Sequence, residues 1–243
     1  MITRIFKSIL FSFLVFLSIH CQKENKAVTN EGKVISVIEG KEGIPSVCVW
    51  DKASIKSEPT LKGRSVSVMA LGEKVVCLGE DKIDPSDKDR KYYKIRLSDG
   101  KEGWAPEYSL ALDAKPSVAV HKAVIYLRPD LVTVTDKEFS PMEFIAVTKP
   151  ENEWCEAKGQ EGKKKGWIKS NAISLKDDDI TVALLAGKAM AETNKEKKRS
   201  KVEAIVSNPA LSRSIFMDSL KTYLEGTAVV PQFVPSLPDS VNR

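Results

Sequence analysis

The most reactive side chains in this sequence are Cys21, Cys48, Cys77 and Cys155, with His20 and His121 as the two histidines. A nucleophilic cysteine needs a histidine base beside it, and a zinc site needs three or four convergent ligands. His20 falls in the apolar N-terminal stretch and leaves His121 alone, so histidine builds neither a triad nor a zinc set. No Gly-x-Gly spacing precedes a helical pattern, which argues against a phosphate-binding loop. Asp177, Asp178 and Asp179 stand where a helix N-terminus favours negative charge. What remains is non-covalent chemistry. Trp50, Tyr92, Tyr93, Trp104, Tyr108, Trp154 and Trp167 offer rings that stack on sugar or hold a peptide. The chain is therefore expected not to be an enzyme, with no metal and no cofactor.

These aromatics sit among short β-type runs. Residues 75–78 form a short apolar run, residues 92–97 alternate apolar and polar side chains from Tyr93 onward, Ser98-Asp99-Gly100-Lys101 follows, and another run opens at Gly103-Trp104. Asp-Gly between such runs predicts a tight hairpin, because Gly accepts φ > 0 freely and Asp tolerates it. Residues 81–90 (DKIDPSDKDR) are polar and contain a proline, which predicts a loop. Alternation sends Tyr92 and Tyr93 to opposite faces, so at most one of them is core.

The order Gly72-Glu73-Lys74-Val75, then Tyr92-x-Lys94-Ile95-Arg96, then Asp99-Gly100-Lys101-x-Gly103-Trp104 resembles the bacterial SH3-like (SH3b) domain, a small β-barrel used as a binding module. Upstream, Ala53-Ser54-Ile55-Lys56-Ser57-Glu58-Pro59 resembles that family's opening Leu-Asn-Val-Arg-Ser-Gly-Pro, with Ala53, Ser54 and Glu58 as departures.

The pattern then recurs. Pro59, Glu73 and Val75 lie 70 residues before Pro129, Glu143 and Ile145; Tyr92 lies 62 before Trp154; Gly103-Trp104 and Leu110 lie 63 before Gly166-Trp167 and Ile173. Offsets that break only in polar segments are what a duplicated barrel shows. The second copy carries Met142 where the first has Gly72, and Gly-Gln-Glu-Gly-Lys in place of the Asp-Gly turn.

Beyond Leu175 the period becomes helical. Ile180, Leu184, Gly187 and Ala191 share one face, and the charged residues 195–201 read as a solvated continuation of the same helix. Asn208-Pro209 is a cap with a first-turn proline, followed by a stripe of Leu211, Ile215, Phe216, Leu220, Tyr223 and Leu224 that ends at Gly226.

At the other end, Arg4 and Lys7 precede an uncharged apolar core, SILFSFLVFLSI. A helix of that length reaches about 18 Å, short of a ~30 Å hydrocarbon layer, so a secretory signal is expected rather than a membrane span. Cys21 follows directly and resembles a lipoprotein lipidation site, although Leu17 stands four residues before it and His20 occupies the usual small-residue place. Lys plus Arg is 38 against 33 acids, and loss of Arg4 and Lys7 takes +5 to +3, too mild and mixed for nucleic acid.

The expected architecture is mainly β: two tandem small SH3-like β-barrels followed by a C-terminal α-helical pair. The divisions are 1–20 signal peptide, 21–46 lipid-anchored tether, 47–112 and 116–175 the two barrels, 177–226 a helical hairpin, and 227–243 an extended Pro-containing tail. The resemblance implies an exported, lipid-anchored, non-catalytic binding module of the cell envelope, held to the membrane through Cys21, recognising cell-wall peptide or an envelope or host protein. A structural lipoprotein scaffolding an envelope complex, or a surface adhesin, is the alternative. The leaflet is left open. The expected ligand residues are Trp50, Tyr93, Trp104 and Tyr108, the first barrel being preferred for its tighter family pattern. Cys48 and Cys77, in the first and third strand regions of one barrel, are candidates for a disulfide or for two buried thiols, and Cys155 is expected to stay unpaired.

Overall fold

The period-two runs become strands and the 3.6-period runs become helices. The computed structural model describes residues 36–38 and 41–226. The leader, Cys21 and the tail 227–243 lie outside the described residues, and so do the expectations attached to them. The first sheet contains β1 (Ser36–Ile38), β2 (Lys41–Cys48), β3 (Ala53–Lys56), β4 (Ser65–Met69), β5 (Lys74–Asp84), β6 (Arg90–Arg96), β7 (Glu102–Pro106) and β8 (Leu110–Leu112). The second contains β9 (Lys115–Ala119), β10 (Ala123–Tyr126), β11 (Val134–Phe139), β12 (Phe144–Glu151), β13 (Trp154–Gly159), β14 (Lys165–Lys169) and β15 (Ile173–Ser174). Three helices follow: α1 (Asp177–Met190), α2 (Lys195–Val206) and α3 (Met217–Leu224). The chain is mainly β with a helical end, as expected.

With β1 set aside, the strand orders correspond: β4-β3-β7-β6-β5-β2-β8 in the first sheet, β11-β10-β14-β13-β12-β9-β15 in the second. The connecting hydrogen bonds correspond too. Cys48 N–H reaches Glu73 O at 2.9 Å, and Ala119 N–H reaches Glu143 O at 3.0 Å; Val49 N–H reaches Ser109 O as Val120 N–H reaches Ala172 O, both at 2.9 Å. Gly72 and Met142 both adopt positive φ, 82° and 64°. The repeated Gly-Trp has a steric cause. A Cβ on Gly103 would strike Ile55 Cγ2 and stand 2.8 Å from Lys56 O; on Gly166 it would stand 2.5 Å from Ile125 Cγ2 and 2.6 Å from Tyr126 O.

Several expectations change. The segment expected as tether through residue 46 already pairs within it, Ser36 opposite Gly43 on β1 and β2. Residues 81–84 are strand rather than loop, paired with residues 90–93. Opposite charges facing across the ribbon, Lys91 with Asp81 at 3.3 Å and Lys94 with Glu80 at 3.1 Å, support the hairpin where its first strand is exposed. The charged run 195–201 is a separate helix, because the Asn194 side chain accepts from Lys197 N–H at 2.9 Å and starts it afresh. The helical pair is thus three helices.

Asp177–Asp179 supply no side-chain cap to α1, whose N-cap is Lys176. Asp179 turns inward, accepting from Ser174 Oγ at 2.5 Å and from Ile215 N–H at 2.9 Å. Capturing Ile215 bends the chain there, so α3 starts at Met217 and residues 209–211 form a single 3-10 turn.

Each sheet has its own core, one around Ile55, Met69 and Ile95, the other around Ile125, Phe139 and Ile168. A further cluster joins them: Val47, Val49, Ala111 and Ala114 pack with Phe144 and Ala146, with Leu71 and Leu184 against it. Lys158 donates to Leu110 O at 2.7 Å across the same join. The turn that replaces Asp-Gly in the second sheet also bears on the first, Glu161 N–H donating to Val49 O at 2.8 Å. Its altered sequence serves a contact and is not idle drift.

The Cys48–Cys77 disulfide is not formed. Both thiols, and that of Cys155, are free and buried. The register opposes Cys77 to Ile44, four residues from Cys48 along β2, about 13 Å of strand and far outside disulfide reach.

Candidate functional site

The aromatic residues of the first sheet gather around one short turn. Residues 107–109 form a 3-10 turn between β7 and β8, closed by the Ser109 hydroxyl donating to Pro106 O at 2.7 Å. Ser109 O in turn accepts from Val49 N–H, which fixes the turn beside Trp50. Trp50 and Tyr108 meet edge to face, centroids 4.9 Å apart at 70°. Tyr108 keeps 42% of its surface exposed.

The other face of this pair is electrostatic. Arg90, the first residue of β6, lays its guanidinium over the Tyr108 ring at 5.0 Å. Its Nε is held by Asp87 Oδ2 at 2.7 Å, and the same carboxylate accepts from Tyr92 Oη at 3.2 Å. Burial first, and then the Asp87 bond, push the Tyr92 phenol up to about 12, so it stays a donor. The Asp84 carboxylate accepts from Ser86 N–H at 3.0 Å and Ser86 Oγ at 2.6 Å. The Ser86 hydroxyl, with further bonds from Thr60 and the backbone, holds that carboxyl down at about 2.

Three of the four expected residues come together. Tyr93 packs on the same core as Trp50 and donates to Glu107 Oε1 at 3.5 Å, reaching the turn from β6. Trp104 does not join them. It stands opposite Lys56 and Lys94, on the other face of the sheet from Tyr93, which opposes Ala105. Arg90 and Asp87 were missed, being hidden in the segment taken for a loop; their i,i+3 opposite charges are the signal that was present.

The matched backbone bonds place His121 where the first sheet has Trp50, and Asn171 where it has Tyr108. His121 is exposed, its Nδ1 3.1 Å from Lys122 O. The second sheet gathers aromatics elsewhere, Tyr126 against Trp154 at 4.9 Å with Lys169 Nζ 3.9 Å over the Trp154 ring.

Residues 51–111 match the bacterial SH3 domain family. That span holds Tyr93, Trp104, Tyr108 and Arg90 and begins one residue after Trp50. No curated protein matches the chain. Among solved structures it is similar to NlpC2 from Trichomonas vaginalis, at 16% identity over 60% of this chain and 51% of that one, TM-score 0.24. It is similar to NlpC1 from the same organism, at 13% identity over 66% and 55%, TM-score 0.25. An NlpC/P60 family protein from Bacillus cereus matches at 14% identity over 54% and 55%, TM-score 0.23. The chain thus spans about half the length of these proteins, 51% to 55%. These matches overturn the expectation that the chain is not an enzyme: the solved structures it is similar to are NlpC/P60 proteins, and that expectation is withdrawn.

Proposed function

We propose that this chain is a cell-wall-associated binding module of the bacterial envelope, with SH3-like domains at 47–112 and 116–175, held at a membrane through Cys21. The first domain reads the ligand, a cell-wall peptide, over Trp50, Tyr108 and Tyr93. The observation that carries this is the Trp50–Tyr108 edge contact under the Arg90 guanidinium, present on the first sheet and replaced by His121 and Asn171 on the second. A half-exposed ring backed by a fixed cation suits the amide planes and carboxylates of a peptide. The match of residues 51–111 to the bacterial SH3 domain supports the wall as the place of action.

Pull-down of the full chain with purified cell wall, in parallel with solubilised envelope extract, tests the reading. Retention on bare wall is expected. Retention only on extract would move the ligand to a protein. Cys21→Ala is expected to shift the chain from the detergent to the aqueous phase, and unchanged partitioning removes the anchor.

A further inference from the structure

We propose that the turn at residues 127–134 of the second sheet dips into a lipid surface. The turn joins β10 to β11 and satisfies its polar groups locally. Its polar groups bond within the turn: Asp130 Oδ1 accepts from Val132 N–H at 3.1 Å, and the Thr133 hydroxyl lies 3.0 Å from Arg128 O and 2.8 Å from Asp130 O. Leu127 N–H donates to Thr133 O at 3.0 Å and closes the loop. Its aliphatic side chains face outward. Leu127 is 72% exposed and Val132 82%, with Leu131 and Val134 also exposed.

The first sheet supplies the comparison. Its corresponding turn, residues 57–64, keeps the inner bonds, Thr60 N–H to Glu58 O at 2.8 Å matching Asp130 N–H to Arg128 O at 2.7 Å. Its outward residues, however, are Ser57, Glu58, Lys62 and Arg64, with Leu61 the exposed aliphatic. Four protruding aliphatics on a turn with its own rigid hydrogen bonds are not needed to fold it, because the polar version of the same turn folds equally.

The occupant follows from size and charge. Four side chains on a projecting turn fall well short of the ~800 Å² per partner of a stable protein interface, which disfavours a second copy. A bilayer needs no complementary shape and takes up aliphatic side chains at its acyl boundary. Exposed Arg128 and Lys137 stand against exposed Asp136, and Asp130 is occupied within the turn, so headgroup charge contributes little and insertion is apolar. Tyr126, half-buried and edge-on to Trp154, immediately precedes the turn and is of the aromatic type that a membrane interface favours. The apolar leader and Cys21 of the sequence point to a membrane nearby.

The test uses full-length chains carrying Cys21→Ser with either Val132→Cys or Lys62→Cys, each labelled with an environment-sensitive dye; Cys48, Cys77 and Cys155 are buried and stay unlabelled. With phosphatidylcholine vesicles, the dye at position 132 is expected to shift blue and to be quenched several-fold more by spin-labelled acyl chains than the dye at 62. The difference should persist at high salt and vanish when Leu131→Asp is added. Equal quenching at the two positions, loss of the difference in salt, or a blue shift at 132 that needs added envelope protein would each overturn the proposal.

Discussion

Gly72 of the first sheet lies directly under Phe144 of the second: a Cβ there would stand 3.2 Å from the Phe144 ring and 3.0 Å from Leu184 Cδ1, at φ +82°. Phe144 is buried with Val47, Val49 and Ala111 of the first sheet, so the two sheets share apolar burial. Phe144→Ala is expected to cost about 3–5 kcal/mol. Scanning calorimetry should show one transition for the parent chain and two for the variant, because the shared cluster couples the sheets. Two transitions in the parent would sink this account.

Asp179 is fully buried yet charged. Burial pushes its carboxyl up, and bonds from Ser174, Ile215 N–H and Ser214 outweigh that and hold it below the ordinary 3.8. A depressed folded-state pKa means the contribution is complete above the ordinary value and is lost as pH falls through the folded one. Asp179→Ala should cost about 1.5–3 kcal/mol at neutral pH. In denaturant titrations the gap between parent and variant should narrow as pH falls below the ordinary 3.8. A gap that stays constant into acid would mean the carboxylate charge is not what matters.

What the sequence revealed of the fold followed from residues whose type is forced by backbone geometry. Gly103 and Gly166 are required by a carbonyl beneath each, so Gly-Trp marked the same strand twice. Asp99-Gly100 was legible for the same reason, Gly100 taking φ 82° and Asp99 Oδ1 accepting from Lys101 N–H at 3.0 Å. The hairpin beyond Asp81 was not legible, because residues 81–83 of its first strand are all exposed and its support there is cross-strand charge instead of alternation. Arg90 was lost with it. Nor did the sequence betray that Gln160–Gly162 is a contact with Val49, since a docked turn and a drifted turn look alike before the partner is known.

Gly103→Ala should destabilise by about 1–3 kcal/mol, because Lys56 O belongs to the backbone and cannot step aside. Gly166→Ala should cost at least as much, since its Cβ meets Tyr126 O and its φ of +153° adds backbone strain. Gly100→Ala, with open space around its Cβ, carries only left-handed strain of about 1 kcal/mol. Urea midpoints ranking Gly100→Ala as the costliest of the three would contradict the steric explanation.

The three described thiols should be inert in the native chain. Burial raises Cys48 to about 11 and lifts Cys77 and Cys155 above their ordinary 9.0. At pH 8 the Cys48 thiolate is then on the order of one part in a thousand. Iodoacetamide followed by peptide mass spectrometry should modify none of them before unfolding and all of them afterwards. A peptide linking Cys48 to Cys77 under non-reducing digestion would show that the strand register is wrong.

Trp50→Ala and Tyr108→Ala should each weaken retention on purified cell wall by about 2 kcal/mol, roughly thirtyfold. Removing either ring removes the other's edge contact, so the double variant should lose less than the sum of the two. Arg90→Gln takes the cation off Tyr108 while sparing the rings, and about 0.5–2 kcal/mol should go with it. Tyr108→Ala should leave the melting temperature nearly unchanged, since 42% of that side chain is already in water. Trp104→Ala should leave wall binding near the parent value, because its ring lies on the sheet face away from Tyr93. Larger losses at Tyr126 or Trp167 than at Trp50 would transfer ligand reading to the second sheet, where His121 and Asn171 stand in place of the aromatic pair.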